Sequence, residues 1–187
     1  WTEGVNKQWE LGGLFLYHLG NDADPILFWS RMPMVLLLVA LGGMLFYWTR
    51  KLLGMPAALF VLILFVFSPS FLAHGSLVTT DVAAALGAML ALYWFLQFLY
   101  NPSWEHTVIA GGALAFALLV KFSTFVLLPV FGLLFFLYWQ FLTVPHPARQ
   151  RFFLYVKRGA GLLLVATVLL GAMYQLHILH YPAERQL

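Results

Sequence analysis

The sequence predicts an all-α protein, a polytopic transmembrane helical bundle of about six spans. Two observations carry that reading. The 187 residues are 63% hydrophobic and only 9% charged, a balance that no soluble domain of this size requires. The apolar residues also fall into six stretches after Pro25, each bounded by charge, proline or glycine. A bilayer core about 30 Å thick asks for about 20 apolar helical residues per crossing.

Residues 1–29 mix Trp1, Trp9, Phe15, Tyr17, Phe28 and Trp29 with Glu3, Glu10, Asp22 and Asp24, the pattern of an interfacial segment at the end of an outer loop. Within it, Leu11 to Leu19 predicts a short amphipathic helix ended by Gly20-Asn21. Trp1 to Asn6 carries no signal-peptide pattern and reads like the middle of a loop.

The transmembrane helical domain is expected over 30–178. Its first span is Met32 to Trp48, followed by Arg50-Lys51 and a break at Gly54-Met55-Pro56, where Pro56 suits the first turn of the next helix. The second span starts at Ala57 and is purely apolar only to Phe67, about 16 Å of helix. It is therefore expected to continue through Ser68-Pro69-Ser70 to about Ala73, because a proline break is tolerated where neighbouring protein satisfies the freed carbonyls. The polar run His74-Gly75-Ser76-Leu77-Val78-Thr79-Thr80-Asp81 then leads into a third span, Val82 to Tyr100.

After Asn101-Pro102-Ser103-Trp104, the stretch Thr107 to Leu142 holds a single charge, Lys121. As one straight helix it would reach about 54 Å, far beyond the hydrocarbon thickness. A lysine at mid-bilayer costs roughly 2.5–3.5 kcal/mol on insertion scales, so the break belongs at Lys121. Spans four and five then lie near 107–120 and 122–142. Thr143 to Arg158 reads as a basic loop, span six runs from about Gly159 to Ile178, and 179–187 begin an outer segment.

Alternation places Arg50, Lys51, Arg149, Arg151, Lys157 and Arg158 on one face with Glu105. The other face receives Lys7, Arg31, Lys121 and Arg185 with Glu3, Glu10, Asp22, Asp24, Asp81 and Glu184. The positive-inside rule makes the first face cytoplasmic, so residues 1–29, the C-terminus and the breaks at 68–81 and 121 face outward.

The absence of cysteine removes disulfides, thiolate metal sites and thiol nucleophiles. A net charge of +3, scattered along the chain, argues against nucleic acid. No repeat or inverted pairing of broken helices supports a transporter. Small residues four apart, Ala83 with Gly87 and Gly87 with Ala91, allow close helix packing.

Asp81 is the only acid between Pro25 and Pro102. It serves either as a helix cap, together with Thr80, or as a carboxylate lining an outward cavity; the two roles are compatible. Lys121 either snorkels to the headgroups or, with the Ser123 and Thr124 hydroxyls, holds a lipid phosphate. His74 suits a polar filler, a metal ligand or a proton carrier. His177 and His180 make a weak metal pair without a third ligand. Arg31 is an anchor at the outer edge of span one that can reach the same cavity. The glycine-loop, Gly-x-Ser-x-Gly and His-Glu-x-x-His signatures of common soluble enzymes are missing.

The order of residues is more specific than composition. Asn21-Asp22-Ala23-Asp24, Arg31-Met32-Pro33, the block from Ser68 through Leu72-Ala73-His74-Gly75 to Thr79-Thr80-Asp81, and Val120-Lys121-Phe122-Ser123 with Leu127-Leu128-Pro129 resemble the bacterial membrane glycosyltransferases of the dolichyl-phosphate-mannose protein mannosyltransferase type. These are similar to the aminoarabinose transferases of lipid A and share the GT-C fold. The resemblance covers roughly 14–142. It implies transfer of a sugar from a polyprenyl-phosphate donor to an acceptor protein or lipid at the outer face of the bacterial cytoplasmic membrane.

The resemblance also places Asp81 in the active-site cavity, as the catalytic candidate of this chain. We assign Lys121 to the carrier phosphate, with Arg31, His74 and Ser123 as further substrate-binding candidates and a divalent metal compatible with the site. The family's principal acid lies in a first outer loop that is expected upstream of Trp1, so the chain reads as a central portion. The competing reading is a noncatalytic membrane subunit of a larger complex, descended from the same fold; a start codon close to Trp1 would favour it.

Overall fold

The computed structural model describes residues 7–142 and 148–179, all in helices and short connections. Expectations for Trp1, Glu3, His180, Glu184, Arg185 and the outer segment after Leu179 lie outside the described residues.

Helix α1 (Lys7–Gly13) runs into a π-helical turn, Leu14–His18. Gly20 then reverses the chain at φ 76°, a left-handed conformation that glycine adopts without steric cost. Helix α2 (Ala23–Leu53) is 31 residues long and begins well before the predicted first span. It passes through Pro33 without ending. The carbonyl that Pro33 leaves unpaired belongs to Trp29, which is 70% exposed, so it can be solvated at the rim.

Helices α3 (Met55–Val66) and α4 (Pro69–Gly75) meet at 60°, so the predicted second span is broken rather than continuous. Pro69 is the cause. It sets Ser68 in an extended conformation, ψ 119°, because the proline ring disfavours helical geometry in the residue before it. Helices α5 (Asp81–Tyr100) and α6 (Trp104–Val120) form an antiparallel hairpin. A 3₁₀ segment, Phe122–Val126, leads into α7 (Leu127–Leu142).

Helix α8 spans Ala148–Ile178. The stretch after Ala148, expected as the end of a basic loop, is therefore helical. Its arginines and leucine are good helix formers, and charge alone did not mark a loop. Among the described residues four helices are long and apolar enough to cross a membrane, α2, α5, α8 and the Phe122–Phe141 unit. The bent α3–α4 pair makes a fifth candidate, and α6 is a shorter apolar helix of 17 residues.

Helix α5 is the centre of the bundle. Over half of its apolar window is buried, against 17% or less for the other three long spans. One side packs Val82 and Leu86 against Met34, Leu41 and Phe65 of α2 and α3. The other packs Ala91, Phe95, Phe98 and Leu99 against α6, α7 and α8.

Small residues set the separations, as their spacing predicts. A Cβ on Gly87 would lie 3.0 Å from the Ala117 Cα on α6, and one on Gly111 would lie 2.7 Å from the Leu162 carbonyl oxygen on α8.

Candidate functional site

The antiparallel α5–α6 hairpin brings residue 81 beside residue 121 at one end of the bundle. Asp81 occupies the first turn of α5, where the positive end of the helix dipole favours a carboxylate. Lys121 closes α6 in an extended conformation, φ −153° and ψ 127°, donating its backbone N–H to the Ala117 carbonyl. From there its ammonium reaches across to donate to Asp81 Oδ1 at 2.6 Å. The side chains are 42% and 45% exposed, for Lys121 and Asp81 respectively, so the pair faces open space rather than the core.

Of the capping alternative, the dipole part stands with Asp81 in the first turn, while the Thr80 side chain makes no cap hydrogen bond. His74, on α4, lies on the other side of the same acid, with Nδ1 3.9 Å from Oδ2. That separation is too long for a hydrogen bond but close enough for charge to matter.

The break that presents Lys121 has its own support. Thr124 is buried, and its hydroxyl lies within donating distance of both the Ala117 carbonyl, 2.8 Å, and the Lys121 carbonyl, 2.7 Å. Each of these carbonyls also accepts a backbone N–H, from Lys121 and Thr124 respectively, so the hydroxyl adds a second donor at the end of α6. The expected use of the Thr124 hydroxyl on a phosphate is therefore corrected, since its proton is directed into the protein. Ser123 is exposed beside it.

Arg31 is exposed on the first half of α2, three residues before Met34, which packs in the same cluster as Val82. It stands at the Asp81 end of the bundle without an ion-pair partner among the described residues. The structure thus joins Asp81, Lys121 and His74 in direct proximity, while Ser123 follows Lys121 by two residues and Arg31 stands on α2 at the same end of the bundle.

His74 and Asp81 do not make a metal site. Among the described residues no group of three His, Asp or Glu side chains converges, and the Lys121 ammonium already occupies one carboxylate oxygen. Of the other histidines, His106 lies near the Asn101 carbonyl with Nδ1 at 2.9 Å, and its backbone N–H is capped by Ser103. An apolar crevice of about 420 Å³ between α5, α7 and α8, lined by Phe95, Phe131 and Tyr155 among others, carries no charged group.

Two further cations sit toward the opposite end. Lys51 donates to the Tyr93 hydroxyl at 3.2 Å, and the Arg158 guanidinium stacks on Trp104 with its carbon 3.9 Å from the ring centre. Sequence reasoning treated both only as loop charges. The pairing signal, aromatic residues one helix away, is legible only once the helices are placed.

Residues 28–182 match the family described as dolichyl-phosphate-mannose-protein mannosyltransferase. The match extends further toward the C-terminus than the motifs that suggested it. No curated protein and no solved structure matches the chain.

Proposed function

The chain belongs to the dolichyl-phosphate-mannose-protein mannosyltransferase family, and from that premise we propose that its Asp81–Lys121 end binds the phosphate of a polyprenyl-phosphate sugar at the outer face of the membrane. The observation that carries this reading is the 2.6 Å contact at the mouth of the α5–α6 hairpin. A cation at membrane depth is costly, and one held half exposed beside an acid is suited to a ligand.

In the transfer, an acceptor hydroxyl attacks the anomeric carbon of the sugar with inversion while the bond from that carbon to the phosphate oxygen breaks. The leaving phosphate gains one negative charge. Lys121 is placed to stabilise that charge, and a preorganised donor aimed at developing charge is among the strongest catalytic devices a protein has. Arg31 and Ser123, at the same end of the bundle, would supply a second cation and a hydroxyl donor. Asp81 holds the ammonium in place before the donor arrives. The acceptor proton passes to a base, which the family resemblance assigns to a carboxylate of the first outer loop.

The basic residues Arg50, Lys51, Lys157 and Arg158 at the far end support an outward orientation of the Asp81 end by the positive-inside rule. The test is sugar transfer from a polyprenyl-phosphate donor by membranes bearing wild-type or Lys121→Ala protein at equal expression. We expect a raised KM for the donor together with a lower kcat, and partial rescue by Lys121→Arg. Unchanged transfer by Lys121→Ala would overturn the reading.

A further inference from the structure

We infer that Asp81 and the carrier phosphate compete for Lys121, so that the carboxylate is a displaceable internal occupant of the donor site, received by Thr79 and His74 when a phosphate takes its place. The inference rests on the reading of Lys121 as a phosphate-binding residue and adds the regulation of that site. An ammonium is a compact point charge on a flexible stem, able to turn from one anion to another. The existing contact is half exposed on both sides, so an anionic oxygen can approach it.

A phosphate that arrives meets the carboxylate as well as the ammonium, and two anions cannot share one lysine without repulsion. Alternative donors for the carboxylate stand on the α4–α5 connection. The buried Thr79 hydroxyl already interacts with the Asp81 carboxylate, but that contact falls short of full hydrogen-bond geometry. His74 Nδ1 lies 3.9 Å from Oδ2, one small rotation from contact. Tightening the Thr79 contact into a full hydrogen bond offsets part of the loss of Lys121. The site thus has two arrangements in which the carboxylate is satisfied, and an anion that binds only one of them shifts the population toward it. Its apparent affinity is reduced by the fraction of molecules in which Lys121 remains engaged.

The experiment is equilibrium binding of a polyprenyl monophosphate to the full chain in nanodiscs of zwitterionic lipid, with the uncharged polyprenol as a second probe. Asp81→Asn should tighten phosphate binding roughly two- to fivefold, the range of an exposed charge pair, and leave polyprenol binding unchanged. Thr79→Val should weaken phosphate binding about twofold in the natural chain and have no effect in the Asp81→Asn background, where no charge needs a new partner. Asp81→Ser serves as the second removal of the charge should the Asn variant fail to insert. Unchanged or weaker phosphate binding after loss of the Asp81 charge, or an equal effect of Thr79→Val in both backgrounds, overturns the competition. Lys121→Ala with wild-type phosphate affinity overturns the underlying reading instead, whatever Asp81 does.

Discussion

The two ends of α5 each meet a lysine from another helix, and the two meetings differ in kind. Near the far end Lys51 donates to the hydroxyl of Tyr93, a residue only 6% exposed, and also lies 5.5 Å from the centre of that ring. Trp48 and Trp94 surround the same tyrosine edge-on. At the near end Lys121 meets a carboxylate with its first contact shell open. Aromatic rings and a neutral hydroxyl suffice to anchor a cation at a membrane interface. An acid at the opposite end is not needed for anchoring, and the proposed function rests on that difference between the two ends.

Inverting the charge at each lysine is the sharpest way to break that contrast. Lys121→Glu sets two carboxylates against each other and removes the phosphate's cation; sugar transfer should fall by about 100-fold or more, measured against expression and helical circular dichroism. The next largest effect is on the scaffold that joins the two ends. Gly111→Leu forces side-chain atoms into the Leu162 carbonyl and should destabilise the bundle by about 1–3 kcal/mol, read as a lower melting temperature in detergent with both ends affected together.

Thr124→Val should cost about 0.5–1.5 kcal/mol, because the Ala117 and Lys121 carbonyls lose the hydroxyl and keep only their backbone donors. It should also weaken donor binding by loosening the turn that aims Lys121, whereas a merely structural threonine would lower the melting temperature alone. The smallest change is expected at the belt. Lys51→Met keeps the apolar stem against Tyr93 and should leave transfer within twofold of wild type in the same assay; a loss comparable to that of Lys121→Glu would erase the distinction between the ends.

Much of this arrangement is legible in the sequence. Hydropathy marks the apolar stretches because lipid tolerates little else, and the lone charge of Lys121 marks the break because a continuous helix would bury it. Alternation of spans then brings Asp81 and Lys121 to one face. Other features depend on geometry that residue types do not encode. Ser68-Pro69-Ser70 announces a break but not its 60° angle. Thr124 presents a hydroxyl that suits a phosphate and a carbonyl equally well, and only the fold of the 3₁₀ turn decides between them. The basic residues after Ala148 are as compatible with a helix as with a loop, and packing of Tyr155 onto α5, where its hydroxyl donates to the Leu99 carbonyl at 2.6 Å, favours the helix.

The absence of cysteine from the chain permits a direct test of the central claim, that Asp81 and Lys121 share one face of the membrane around a donor site. Single-cysteine variants Asp81→Cys, Lys121→Cys and Lys51→Cys are labelled in sealed vesicles with a membrane-impermeant maleimide, with and without a polyprenyl monophosphate. The account predicts that positions 81 and 121 react from the same side, that position 51 reacts only from the other, and that the phosphate slows labelling at 81. Labelling of 81 and 121 from opposite sides would contradict it.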